Sequence, residues 1–334
     1  MSTLNASSVV AGLRRSRYGL ADALLLAALA ATFAFGQLYL ALATTVLIMV
    51  IFALSLDLAQ GYGGIETLGH AAFFGSGAYA AGLYALHVSP EPISGLLVGA
   101  AAAAVVGLLS GLAVLRTQGL TQIMLTLACA TLLYELANTL KRVTMGDDGL
   151  SGYTVAPLLG RFEFDIFGRT AFVYAAVVLA AVLAALRFVV NAPLGLVAQG
   201  IRDNPLRMRL LGVPVTRRLL QVYGLSAAVA GVAGALSAQV NRIVGLDTLG
   251  FVVSANVLVM LALGGAGRLY GAVLGAVVFV LASDRAAAVD PANWLAALGL
   301  LLIVVVRFAP EGLAGLVASA SRRLGQRRGA GDRA

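Results

Sequence analysis

Charged side chains are scarce in this chain of 334 residues. Only 11% of its residues are charged, whereas a soluble domain carries about 25%. Hydrophobic residues make up 60% of the chain and the mean hydropathy is +0.94. Lysine occurs once, at Lys141, so the formal net charge of +8 comes from arginine. The composition predicts an integral membrane protein, and we expect no nucleic-acid partner because the arginines cluster where membrane topology requires them.

Cysteine and histidine are also rare. The single cysteine, Cys129, excludes an internal disulfide, and His70 and His87 alone do not provide a metal-ligand set. No G-x-x-x-x-G-K-[ST] loop occurs, so the sequence predicts no ATP bound through a P-loop. The motifs H-E-x-x-H and G-x-S-x-G are missing as well. We therefore expect a protein that is not an enzyme, with no catalytic residue, no metal and no cofactor of its own.

Long apolar runs fill most of the chain. A run of ~20 residues crosses a bilayer as a helix, and ten runs approach that length. The predicted fold is all-α and polytopic, with about ten transmembrane helices in one domain over residues 19–317. The count falls to eight or nine if the two short runs, 251–264 and 269–283, are re-entrant. The predicted spans are 19–36, 38–58, 64–87, 93–115, 119–140, 170–190, 219–241, 251–264, 269–283 and 292–308.

Arginines then orient these spans. The tails 1–18 and 318–334 are both basic, which predicts that both termini are cytoplasmic and that the number of spans is even. The loop 191–218 follows six predicted spans and is cytoplasmic too, whereas 141–169 follows five and is external. The first apolar run begins after three arginines, as a signal peptide would. Its removal would break this arrangement, so we expect it to be retained.

A basic island, residues 195–218, separates two apolar runs in the middle of the chain. Each of its five arginines would cost roughly 2.5–3.5 kcal/mol at mid-bilayer. Its first part can form a short helix that Asp203-Asn-Pro interrupts. An apolar face between arginines suits docking into a partner's groove, and an amphipathic helix on the anionic inner leaflet is the alternative. The apolar positions are Leu196, Ile201, Leu206 and Leu210, and the arginines are Arg202, Arg207, Arg209, Arg217 and Arg218.

Two segments are interrupted by glycine, one in each half of the chain. They are 61–79 and 263–275, and each contains a Gly-Gly pair followed by small residues at helical spacing. Glycine permits a chain break and a close backbone approach. Irregular backbone at membrane depth is tolerated only inside protein or beside a cavity. The pair predicts a transport pathway, with tight helix packing as the alternative.

The first of these segments carries polar and aromatic candidates for the pathway. Four residues separate Glu66 from His70, so a helix would place both on one face. An ionisable residue inside a span is a functional candidate. The alternatives are a solvated Glu66 at the cytoplasmic boundary and a His70 that bonds two helices. The predicted pathway residues are Glu66, Thr67, Gly69, His70, Phe73, Phe74, Gly77, Tyr79, Gly264, Gly265 and Gly267.

Five motifs, in order over about residues 38–317, resemble the LivM-like permease subunits of branched-chain amino acid ABC importers. Three positions depart from the family's first signature: Ile65 and Thr67 stand where Gln and Ser are usual, and Glu66 stands where an apolar residue is usual. A further departure is Thr144-Met-Gly in place of T-G-G. The five motifs are Gly61–Tyr79, Thr144–Leu150, Ala198–Arg218, Gly264–Ala276 and Ala309–Leu316.

The resemblance implies a permease that works by alternating access, driven by ATP bound on other subunits. The implied partners are a second homologous permease, two cytoplasmic ABC ATPase subunits, a periplasmic or extracellular substrate-binding protein, and membrane lipid. The implied location is the bacterial inner (plasma) membrane. By the same resemblance the basic island is the coupling segment. The implied ATPase-coupling residues are Gln199, Ile201, Arg202, Asp203, Asn204, Leu210 and Gly212.

The resemblance leaves the substrate open. Branched-chain or other hydrophobic amino acids are the expectation, and permeases of similar architecture carry urea, short amides and aromatic or other carboxylates. A stand-alone transporter driven by an ion gradient is the other alternative. It would need carboxylates in several central spans, whereas only Glu66 and Glu135 lie within the predicted spans, apart from Asp22 and Asp57 at their cytoplasmic ends.

Overall fold

The computed structural model describes residues 27–33, 39–158, 162, 165 and 168–291, together with scattered residues between 293 and 315. These described residues are mostly helical, and their only β-pairing is in isolated bridges. The tails 1–18 and 318–334 lie outside the described residues. So does much of the two predicted terminal spans, although 27–33, within the first of them, is helical.

Ten helices provide the frame of the described region. Proline occupies the first position of three of them, where its missing N–H breaks no helical hydrogen bond. The helices are α1 (Leu40–Leu56, continued by a π-helical turn, Asp57–Tyr62), α2 (Ala71–His87), α3 (Pro92–Val114), α4 (Leu120–Thr139), α5 (Arg169–Asn191), α6 (Pro193–Asp203), α7 (Pro205–Leu210), α8 (Val215–Asn241), α9 (Phe251–Gly264) and α10 (Leu269–Val289).

Six helical segments of the described region are long and apolar enough to cross a bilayer: α1 with its π-helical turn, α3, α4, α5, α8 and α10. The apolar α9 is shorter, with 14 residues, and α2 has 17. The prediction of an all-α, multi-pass membrane protein is confirmed. The total of ten spans and the cytoplasmic position of both termini stay predictions.

Two helix limits differ from the sequence prediction. The predicted span 64–87 becomes helical only at Ala71, because Gly64 takes a left-handed φ of +67° that ends the preceding turn. The predicted span 269–283 instead continues to Val289 through a run rich in alanine, the residue with the highest helix propensity. Residues 284–289, which follow the predicted span, are therefore helical.

Helix α8 lies at the centre of the fold, in contact with α1, α2 and α3. Small residues permit the close approach: a Cβ on Gly77 of α2 would overlap the backbone of Gly231 in α8. On α3, a Cβ on Gly107 would likewise overlap the methyl group of Ala227. Helices α9 and α10 pack together and against α1. Backbone contact at small residues is the usual way that membrane helices pack.

The connections between the helices fall at two ends of the bundle. One end, which we call the island end, holds 63–70, 115–119, the basic island and 265–268. The opposite end holds 88–91, 140–158 and 242–250. This alternation agrees with the predicted order of the loops. The arginines of the basic island predict that the island end is cytoplasmic.

Candidate transport and coupling site

The first glycine-broken segment is not helical between Gly63 and His70. Ile65, Thr67 and His70 in this stretch are at most 2% exposed, whereas Gly64 and Glu66 are exposed, so one side of the stretch packs in the interior of the protein. The Gly69 N–H donates to Thr67 Oγ1 at 3.1 Å. Burial of irregular backbone requires such internal partners, because hydrocarbon offers none.

Neighbouring helices supply the other side-chain partners of this segment. The Leu68 N–H donates to Thr126 Oγ1 of α4 at 3.2 Å, and the Ala71 N–H donates to Ser254 Oγ of α9 at 2.8 Å. Ser254 lies ten residues before the island end of α9, about 15 Å along the helix. The first turn of α2 is thus held deep in the bundle by α4 and α9.

His70 lies in a polar contact between α1 and α8. Its Nε2 is 2.8 Å from Ser55 Oγ. The Ser55 Oγ also lies 2.6 Å from Phe52 O, so this hydroxyl joins the imidazole to the backbone of α1. The Ser226 hydroxyl donates to Ser55 O at 2.6 Å. His70 is fully buried, and these contacts fit a residue that bonds helices.

The predicted aromatic pathway residues also lie in the core. Phe73 and Phe74 are each 2% exposed. The Phe73 ring meets the Tyr223 ring edge-on at 5.2 Å, and the Phe74 ring lies 4.8 Å from that of Phe52. Tyr79 is buried in a second cluster, nearer the opposite end. A ligand would reach Phe73 and Phe74 only after the helices move apart, and their role in the pathway stays a prediction.

The second glycine-broken segment is held by backbone contact. Gly265 and Gly267 take left-handed φ angles of +96° and +79° between α9 and α10, a conformation that favours glycine. A Cβ on Gly264 would overlap the carbonyl of Gly271 in α10, and a Cβ on Gly312 would overlap the Gly265 backbone. The motif around Gly312 therefore returns to this turn.

The two glycine-broken segments and the basic island meet at one place, which we call the junction: Asp57, Gly61, Arg202 and Gly267. The Gly267 N–H donates to Asp57 Oδ1 at 2.6 Å. Arg202 Nη1 donates to Gly61 O, and it lies 3.1 Å from the position of a Cβ on Gly267. The sequence predicts Arg202 as a coupling residue and Gly267 as a pathway glycine, but it does not single out Asp57. The feature that could have identified Asp57 is a carboxylate at the end of an apolar span.

The basic island forms two helices, as the Asp203-Asn-Pro sequence predicts. Asn204 ends α6 and caps α7, because its Oδ1 accepts from the Arg207 N–H at 2.9 Å. Ile201 is 3% exposed and faces the permease, whereas Leu210 is 82% exposed. The prediction that Ile201 and Leu210 share one apolar face is wrong, because the break at Asn204 places Leu210 on a separate helix, where it is exposed while Ile201 is buried. Of the remaining coupling candidates, Gln199 Nε2 donates to Gly195 O at 3.3 Å, Asp203 pairs with Arg202 at 3.1 Å, and Gly212 follows α7 with φ +80°.

A cavity of about 220 Å³ opens at the island end. Its lining includes Glu66, Gln122, Arg202 and Arg209. Glu66 is exposed there. The expectation that Glu66 and His70 share a helix face is wrong, because the backbone between them is not helical. The structure brings Glu66 beside the basic island instead.

At the opposite end of the bundle, residues 144–153 contact the ends of α4 and α8. The Thr144 hydroxyl lies 3.0 Å from Leu140 O at the end of α4, and Leu150 pairs with Val244 after α8. The Tyr153 hydroxyl donates to Ala238 O at 2.8 Å. Burial raises the pKa of Tyr153 to about 12, so this hydroxyl keeps the proton that it donates at neutral pH.

Comparison with known proteins identifies the family. The sequence model of the family described as branched-chain amino acid transport system, permease component, matches residues 38–306. The chain belongs to this family. It is 30% identical over 319 residues to the high-affinity branched-chain amino acid transport system permease protein LivM of Salmonella typhimurium (strain LT2), covering 87% of this chain and 73% of that protein. The Escherichia coli (strain K12) protein of the same name is 29% identical with the same coverage. No solved structure matched.

The resemblance to LivM-like permeases is therefore confirmed. In this family member, four of the five motifs reach the island end. The motifs that begin at Gly61, Ala198 and Gly264 supply three sides of the junction, and the last motif joins them through Gly312. Only the motif Thr144–Leu150 lies at the opposite end.

Proposed function

We propose that this permease imports branched-chain or other hydrophobic amino acids by alternating access, driven by ATPase subunits that bind the basic island. The observation that carries the proposal is the junction. Arg202 of the island bonds the first glycine-broken segment, and Asp57 bonds that segment's helix to the second. A displacement of the island therefore pulls on both segments at once.

The exposed face of α7 supports docking of a partner. Leu206, Leu210 and Leu211 are 66%, 82% and 69% exposed, and Arg207 and Arg209 stand between them. Leucines in a short exposed helix fit the groove of a partner, and the arginines favour an acidic rim. ATP would be bound by the partner subunits, since the sequence contains no P-loop.

The buried aromatic cluster fits a permease in a closed state. Phe52 contacts Phe74, Phe73 contacts Tyr223, and the His70 ring lies between the two pairs. Movement of α2 against α1 and α8 would therefore open an apolar surface. An apolar amino-acid side chain suits such a surface, which supports hydrophobic amino acids over urea or short amides. Substrate shifts the populations of the closed and open states only through its different affinity for them.

The complete importer would contain a second homologous permease, two cytoplasmic ATPases and an external substrate-binding protein, in the bacterial inner membrane. The chain's own multi-pass fold and its bacterial relatives support this assembly. Purification with native associates tests it. We expect ATPase subunits to be recovered and uptake to stop on ATP depletion. Failure to recover any ATPase, with uptake that survives ATP depletion, would overturn the proposal.

The island provides a sharper test. Leu210→Asp should abolish ATP-driven uptake while the permease reaches the membrane at its normal level, because a charge would enter the proposed docking face. Leu210→Met should retain uptake. Ile201→Asp should instead lower the membrane level of the permease, because it buries a charge. Unchanged uptake in Leu210→Asp would argue against docking through α7.

A further inference from the structure

Asp57 occupies an unusual position at the island end of α1. It is fully buried, and it opens a π-helical turn of six residues, Asp57–Tyr62. π-Helical turns are rare and often mark functional sites. One carboxylate oxygen, Oδ1, accepts from the Gly267 N–H. The other, Oδ2, accepts no hydrogen bond from any residue that the structure describes.

A buried carboxylate with an oxygen left over is costly unless a positive group lies near it. The positive charge of Arg202 acts on Asp57. Its guanidinium lies against both Gly61 and Gly267. If Arg202 withdrew with the island, Asp57 would lose this charge and a closed junction would become unfavourable.

We propose that Asp57 is a positioning residue that latches the second glycine-broken segment to the first, and that withdrawal of Arg202 with the island releases the latch. The inference rests on the proposed function, because an ATPase supplies the movement of the island. The latch explains how one moving loop can act on two segments that are distant in the chain, because it joins residues that lie 210 positions apart. Its bond joins the Gly267 N–H to Asp57 Oδ1 at 2.6 Å.

The experiment uses the complete importer in proteoliposomes and measures substrate transported per ATP hydrolysed. Asp57→Ala removes the acceptor for Gly267, and Asp57→Asn retains an oxygen at that place. We expect Asp57→Ala to lower the ratio about tenfold, the scale of typical coupling between sites, and Asp57→Asn to restore a large part of it. Thr44→Val is the matched control, because Thr44 is buried on the same helix and its hydroxyl bonds only Leu40 O within that helix.

Two results would overturn the latch. One is a wild-type ratio in Asp57→Ala. The other is a parallel fall of transport and ATP hydrolysis in both Asp57 variants, which would mean that the residue only supports folding. Assembly of the wild-type chain with its ATPases is checked first. If that assembly fails, the proposed function fails, whereas an assembled and fully coupled Asp57→Ala importer overturns the latch alone.

A second measurement needs no variant. Hydrogen–deuterium exchange of the peptide spanning 264–269 is compared in the resting wild-type importer and in the importer trapped with ATP and vanadate. We expect faster exchange in the trapped state, because the Gly267 amide loses its carboxylate partner. Identical exchange in both states would contradict the latch even if Asp57→Ala does not reach the membrane.

Discussion

The two glycine-broken segments occupy comparable places in the two halves of the chain but are held by different forces. Side-chain hydroxyl groups hold the first segment: Thr126 and Ser254 accept from its backbone, and Ser55 is hydrogen-bonded to His70. The second is held by backbone packed on backbone at Gly264 and Gly275. The first segment also has close backbone contacts, as at Gly69 and Gly77, so it should be sensitive both to loss of polar groups and to added volume, whereas the second should be sensitive mainly to added volume.

This difference has a consequence for movement. Hydrogen bonds between side chains and an irregular backbone can exchange partners or water when helices separate. Backbone surfaces packed at glycine have no such substitute: they stay in contact or leave an empty space between the helices. We infer that the first segment can rearrange internally. The second moves as one piece with α9 and α10. The junction ties this rigid piece to the segment that can rearrange.

The largest effect is expected from added volume in the second segment. A Cβ on Gly275 would overlap Met260 O and the backbone of Gly264, so Gly275→Leu should destabilise the permease by about 3 kcal/mol, the upper part of the range for overpacking. Thermal unfolding in detergent measures the loss. Ala101→Leu, at an exposed position within α3, is the control and should unfold near the wild-type temperature. Similar losses in both variants would contradict tight packing at Gly275.

A smaller loss of stability is expected when a hydroxyl group that bonds the first segment is removed. Ser254→Ala leaves the buried N–H of Ala71 without its partner, at a cost of about 2 kcal/mol. Ser76→Ala is the control, because the Ser76 hydroxyl donates to Phe73 O, a carbonyl of its own helix. The same unfolding assay compares them. Equal stability of the two variants would show that α9 does not anchor the start of α2.

The smallest effect is expected at Glu66. It is exposed in the cavity at the island end, so Glu66→Gln should change the stability by less than about 0.5 kcal/mol. Uptake measured in the same preparation then separates two roles. Loss of uptake at unchanged stability would support the predicted role in the pathway, and unchanged uptake would show that Glu66 is a solvated boundary residue.

Much of the helical frame follows from the sequence because hydropathy and helix breakers are local signals. The break of the island at Asn204-Pro205 and the long apolar spans are of this kind. The unpredicted features depend on contacts between distant residues: Ser254 beneath Ala71, and Asp57 against Gly267. The burial of Ile201 also depends on which surface α6 meets. Periodicity within one segment carries no information about that surface, so neither the junction nor the split face of the island could be predicted.

The central claim is that the basic island receives force from an ATPase through α7 and delivers it to the junction through α6. A photoreactive phenylalanine analogue at position 210 of the assembled importer tests it most directly, with the same analogue at position 201 for comparison. We predict a cross-link from 210 to an ATPase subunit, and cross-links from 201 only within the permease. A product from 210 that contains only lipid would contradict the account.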